Sequence, residues 1–108
     1  MKIAIAAPED FRICNLEVYI PPNADEIVFS GEGEILTDVE QFAKTYGFIL
    51  NVFYKNPQYS SGAWIFRNMQ MAKYADKLIA FWDSKTRDTE HIIDCFKKLE
   101  KEVKIINI

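Results

Sequence analysis

Apolar residues fall along this chain in short unbroken runs, separated by longer stretches in which they recur at helical spacing. Four runs are rich in Ile, Val and Phe and poor in polar alternation: residues 2–7 ("KIAIAA"), 26–30 ("EIVFS"), 48–54 ("FILNVFY") and 77–82 ("KLIAFW"). A fifth, 103–108 ("VKIINI"), closes the chain. Such runs are the pattern of strands buried on both faces. The segment "ILTDVEQFAKTYG" puts Ile35, Val39, Phe42, Ala43 and Tyr46 on one helical face, and Gly47 supplies its stop. "IFRNMQMAKYAD" does the same with Phe66, Met69 and Ala72, with Tyr74 and Ala75 near its end. "TEHIIDCFKKLEK" carries a stripe of Ile92, Cys95, Phe96 and Leu99, and Lys97, Lys98 and Lys101 sit near the negative end of its dipole.

Between the first two runs, "NLEVYIPP" is too short for a full helix before its two prolines and reads as one turn plus an extended connection. Strands alternating with helices imply parallel pairing through right-handed crossovers. The expected fold is therefore α/β: a three-layer Rossmann-like sandwich with a central parallel sheet of about five strands, one domain over residues 1–108.

That architecture also says where a ligand would sit. In an open parallel sheet, ligands bind outside the carboxyl ends of the strands, where helix N-termini present unpaired N–H groups. Four loops belong there: "APEDF" (7–11), "SGEGE" (30–34), the stretch 55–64 leading into "IFRN", and "DSKTRDT" (83–89). "SGEGE" offers small residues that let the backbone approach a ligand, although glycine also serves simply to turn a chain. Arg67 and Asn68 fall in the expected first turn of their helix, where a cation is unfavourable with respect to the dipole. An arginine there calls for an anionic partner or a carboxylate across the crevice; the alternative is a solvated side chain.

Asp88 or Thr89 is the expected N-cap of the last helix, and Ser84, Lys85 and Arg87 form the polar edge of an anion site beside it. Trp82 ends a strand just before this loop, placed either to cover a nucleobase or sugar or to join the core. His91 has no second His, Cys or paired carboxylate at ligand spacing, so no metal site is expected. Neither a Ser–His–Asp nor a Cys–His constellation can be argued from the spacing, and no catalytic residue is assigned.

Composition narrows the classes further. Of 108 residues, 49% are hydrophobic and 27% charged, the balance of a globular domain. The net charge of -3, from 13 basic and 16 acidic side chains, argues against a nucleic-acid surface. Cys14 and Cys95 share no CxxC spacing, so the expectation is two buried thiols in a cytosolic protein rather than a disulfide or zinc framework. The apolar run before Pro8 and Glu9 is too short for a signal peptide or a membrane span. A cytoplasmic location is expected.

The stretch "RNMQMAKYADKLIAFWDSKTRDTEHIIDCFKKLEKEVKIINI", together with "NLEVYIPPNADEIVFSG", resembles the SLOG superfamily of Rossmann-like ligand-binding domains. Within it the chain is most similar to the small stand-alone YspA-like group, and the resemblance runs essentially end to end. It implies binding of a nucleotide or nucleotide-derived small molecule. The implied contacts are the loop after the first strand (Ala7, Pro8, Glu9), the loop after the second (Ser30, Gly31, Glu32, Gly33), the pair Arg67 and Asn68, and the last loop with Trp82, Asp83, Arg87 and Thr89. No cofactor or membrane partner is implied, and a homodimer is compatible with every reading.

This chain departs from the family pattern at its loops. "APE" stands for a GSR-type triplet, Glu34 for a glycine, Leu36 for an acidic residue, and Asp88 for the glycine of the last loop. Each Gly-to-acid change puts a negative charge where a phosphate would sit. Two like charges about 4 Å apart at an effective dielectric near 20 repel by roughly 4 kcal/mol before screening, so a weakened phosphate site is expected. The family's phosphoribohydrolase-like branch uses a PGGxGTxxE pattern, but its glutamate position holds Ile92 here and the glycines are missing.

Three functions remain in play. One is a non-catalytic binding module whose ligand is less phosphorylated than usual, or cationic. The second is a nucleotide hydrolase using Glu32 or Glu34 as relocated acid. The third is a degenerate domain serving protein interaction or assembly, with "FYKNPQY" (53–59) contributing an apolar patch.

Overall fold

The computed structural model describes all residues, 1–108. Five strands, β1 (Lys2–Ala6), β2 (Glu26–Phe29), β3 (Ile49–Val52), β4 (Lys77–Trp82) and β5 (Glu102–Asn107), form a single sheet in the order β3-β2-β1-β4-β5. Every neighbouring pair is parallel. Three helices, α1 (Ile35–Tyr46), α2 (Ala63–Tyr74) and α3 (Arg87–Lys98), make the crossovers. The connection from β1 to β2 contains only a short 3₁₀ turn at Leu16–Val18, ended before Pro21 and Pro22. No helix is long and apolar enough to cross a membrane.

The two faces of the sheet are built differently. Ile3, Ile5, Ile27, Phe29, Ile79 and Phe81 point to the side covered by α1, where they meet Ile35, Val39 and Phe42. The alternate positions Ala4, Val28, Leu78 and Ala80 point to the side covered by α2 and α3, where they meet Met71, Ala72, Ile92, Ile93 and Phe96. Helices α2 and α3 pack side by side over that second face, where β1 and β4 present alanines. Helix α1 ends at Gly47, whose φ of 75° and N–H bond to the Ala43 carbonyl form a left-handed cap.

β1, β2 and β3 are shorter than their apolar runs, with Ala7, Ser30, Phe48, Phe53 and Tyr54 just outside them. β4 coincides with its run, and β5 is shifted by one residue, starting at Glu102 and leaving out Ile108. Two expected helix faces need larger correction. In α2, Phe66 and Met69 are 45% and 41% exposed. Its buried side is instead Ala63, Arg67, Asn68, Met71 and Ala72. The apolar pattern pointed to the wrong stripe because it assumed that a guanidinium stays out of the core. In α3 the buried stripe is Thr89, Ile92, Ile93 and Phe96, while Leu99 is exposed and Cys95 only half-buried. Tyr46, placed on the buried face of α1, is exposed. The expected pair of buried thiols is also corrected: Cys14 lies in the exposed connection after β1.

Candidate functional site

The sheet order reverses between β1 and β4, so the loops leaving these two strands diverge and open a crevice at their carboxyl ends. A cleft of about 410 Å³ lies there, lined by Ala7, Glu9, Ser30, Glu32, Gly33, Lys55, Thr86 and Asp88. All four βα loops contribute. A larger hollow of about 620 Å³ between α1 and β3 is open to solvent and lined by Thr37, Glu40, Lys44 and their neighbours. No loops converge there, and no buried polar group faces it.

The second loop owes its shape to two glycines. Gly31 has φ 77°, and a Cβ there would lie 2.7 Å from Val52 Cγ1 and 2.8 Å from Tyr54 Cε1. Gly33 has φ 88°, with room for a Cβ only 3.2 Å from the Glu9 carbonyl oxygen. The Glu34 N–H donates to that same carbonyl at 2.8 Å. Both glycines thus let the backbone come close to other loops of the cleft, and the Ser30 hydroxyl accepts from the Glu32 N–H at 3.4 Å.

Arg67 lies under the cleft with its side chain 1% exposed. Because α2 begins at Ala63, two residues earlier than the pattern predicted, Arg67 is in the second turn rather than the first. The dipole argument for an anionic partner therefore weakens, yet the partner is present. Arg67 Nη1 donates to Glu32 Oε2 at 2.9 Å and Nη2 to Asp88 Oδ2 at 2.8 Å. Its Nε donates to Asn68 Oδ1 at 3.1 Å. Asn68 Nδ2 in turn donates to Asp88 Oδ1 at 2.7 Å and to His91 Nδ1 at 3.1 Å. His91 therefore braces Asn68, with its ring edge-on to Trp64. Cys95 Sγ lies 3.8 and 3.7 Å from its Nδ1 and Nε2, a Cys–His contact that the sequence reading did not expect. No three His, Cys, Asp or Glu side chains gather as a ligand set.

Lys55 Nζ reaches Glu32 Oε1 at 2.7 Å, so both oxygens of this carboxylate face cations. Burial pushes the Glu32 carboxyl up, but Lys55 and then Arg67 more than offset this and hold it below its usual range. Lys55 escaped the sequence reading, which placed its loop at the site without assigning that side chain a role. Its signal was only its position, three residues past β3.

The last loop is arranged differently from expectation. The N-cap position of α3 is Thr86, not Asp88 or Thr89, and no side chain caps the helix. Asp83 Oδ1 accepts from the N–H groups of Lys85 and Thr86 at 2.9 and 2.7 Å, and Oδ2 from the Thr86 hydroxyl at 2.8 Å. These bonds from Thr86 and Lys85 hold the Asp83 carboxyl below its ordinary range. Asp83 is therefore spent on its own turn. Trp82 Nε1 donates to the Thr86 carbonyl at 3.3 Å, and the indole is not among the residues lining the cleft.

Arg87 points to solvent, Pro8 is buried, and Ala7 and Glu9 line the mouth. Thr89 is 2% exposed and borders, with Arg67 and Asn68, a cavity of about 20 Å³ beneath the cleft. That is room for one water. Of the residues singled out from sequence, the structure brings Ala7, Glu9, Ser30, Glu32 and Gly33 to the cleft wall, with Arg67, Asn68 and Thr89 directly below. It leaves Trp82, Asp83 and Arg87 in supporting or outer positions. No family model, no curated protein and no solved structure matches this chain.

Proposed function

We propose that this chain is a non-catalytic small-molecule-binding module of SLOG type, acting in the cytoplasm on a nucleotide or nucleotide derivative. The observation that carries the reading is the cleft at the strand-order reversal, where four loops meet above a buried Arg67–Asn68 pair. Its volume falls within the range of small-ligand sites, and six of its eight lining residues carry polar side chains that converge on it. Two features speak against hydrolysis. Ile92 stands where the related hydrolases carry glutamate and is buried in the core. Glu32, the nearest relocated acid, is paired with two cations and held ionised, which suits an acceptor rather than a proton donor at neutral pH.

The test is a thermal-shift screen of nucleosides, nucleotides and dinucleotides. A saturable rise in melting temperature, lost in Arg67→Ala, is expected. Absence of any shift across the panel would remove the reading.

One observation favours a second reading, a degenerate domain used for assembly. Tyr54, Tyr59 and Phe66 are exposed by 70%, 48% and 45%, and the last two rings pack at a tilt with centroids 4.5 Å apart. Light scattering across concentration distinguishes it: a stable homo-oligomer with no ligand response supports assembly.

A further inference from the structure

We propose that Asp88 and Glu32 set the ligand class of the cleft, which takes an uncharged polyhydroxy compound such as a ribonucleoside in preference to its phosphate. This rests on the ligand-binding reading above and narrows it.

Arg67 is the only charged residue buried in the chain, and a buried guanidinium beside a cleft is the natural seat for an anion. Here the seat is already taken from within. The contacts of 2.9 Å to Glu32 and 2.8 Å to Asp88 are at charge-assisted length, and Asn68 adds a 2.7 Å bond to the second Asp88 oxygen. Lys55, the one other cation lining the cleft, is held on Glu32 at 2.7 Å. Both cations at the site are therefore already paired with carboxylates when a phosphate arrives.

An incoming ligand meets the outer faces of these acids. The Glu32 and Asp88 side chains remain 40% and 43% exposed. Glu9, on the rim, makes no side-chain bond of its own and is exposed. A carboxylate oxygen accepts more than one hydrogen bond, and a vicinal diol matches a carboxylate as ribose hydroxyls match an acidic residue in dinucleotide sites. A phosphomonoester brings a charge of about -1.5 to -2. It must either lie beside Asp88 or displace it from Arg67, leaving a partly buried carboxylate without its partner. The carboxylates thus act as resident anions that favour hydroxyl donors and repel phosphate.

Isothermal titration calorimetry with adenosine, guanosine, cytidine, uridine and each 5′-monophosphate tests this. The best nucleoside should bind at least tenfold more tightly than its monophosphate. In Asp88→Asn and Asp88→Gly that ratio should fall by at least tenfold, with the monophosphate gaining. Glu32→Gln gives a second readout in the same direction should the Asp88 variants fail to fold. Equal or tighter binding of the monophosphate to the native chain overturns the inference alone. So does an unmoved ratio in the folded variants. Failure of all eight compounds to bind the native chain and every variant overturns the inference, and the binding reading falls too if the wider thermal-shift panel is also silent.

Discussion

Arg67 and Lys101 are the two cations that hold helix α2, one near each end, and they do so with partners of different kinds. At the amino end of the sheet, Lys101 Nζ donates to the carbonyls of Ala72, Ala75 and Lys73 at 2.6, 2.7 and 3.1 Å. These are orphan acceptors of a helix C-terminus, where a positive charge also suits the dipole. All three ammonium protons are used, and every acceptor is fixed backbone. At the carboxyl end, Arg67 is held by carboxylates on two other elements, each about two-fifths exposed to the cleft. The lysine is a clip. The arginine is a clip whose partners can also face a ligand, and this difference separates a structural ion from a candidate functional one.

The two ends of α2 should respond differently to loss of their cation. Arg67→Ala should have the largest effect. It leaves Glu32 and Asp88 facing each other with only Lys55 nearby and opens space under the cleft, at a loss of about 3 kcal/mol in urea unfolding. Ligand stabilisation should vanish with it. Lys101→Ala should lose about 2 kcal/mol, through unsatisfied carbonyls at the end of α2. Ligand binding should be unchanged in that variant. A ligand response that depends on Lys101, or survives loss of Arg67, contradicts the division of roles.

Gly31→Ala acts at the second loop. Its left-handed φ and the 2.7 Å approach to Val52 predict a loss of about 1–2 kcal/mol. The loop must also shift, carrying Glu32 away from Arg67, so ligand affinity should fall together with the urea midpoint. Gly47→Ala also has a positive φ, but nothing lies within 4 Å of its Cβ position. It should weaken the fold without touching affinity.

The smallest expected effect is on pH. Glu32 in the cleft is held below its ordinary value of 4.5 by Lys55 and Arg67 against opposing burial. Asp38, on α1, is held below 3.8 by Arg12 and by the Ile13 N–H. A depressed carboxylate stabilises the fold above its ordinary value, and the benefit is lost as pH falls through the lower folded value. Urea midpoints should therefore decline below about pH 4.5. Glu32→Gln should flatten the upper part of that decline, whereas Lys101→Ala should leave its slope intact.

The strands and helices were legible because their signals are local. Runs such as "KLIAFW" and the Gly47 stop carry their own conformational preference, and alternation of the two element types implies a parallel sheet. The position of the cleft followed from the same rule, since loops after parallel strands must share one edge. The buried face of α2 was not legible. Apolar spacing favoured Phe66 and Met69, and only the arrival of Glu32 from one loop and Asp88 from another makes burial of Arg67 tolerable. The same holds for Asp88, which local rules made a helix cap and tertiary contact made an ion-pair partner.

The order and kind of the elements are therefore written in the chain itself, because hydrophobic periodicity and turn chemistry act within a few residues. What only the tertiary structure decided was which charges meet. Coulomb pairing joins positions 21 and 35 residues apart from Arg67, and no local pattern encodes that distance in space.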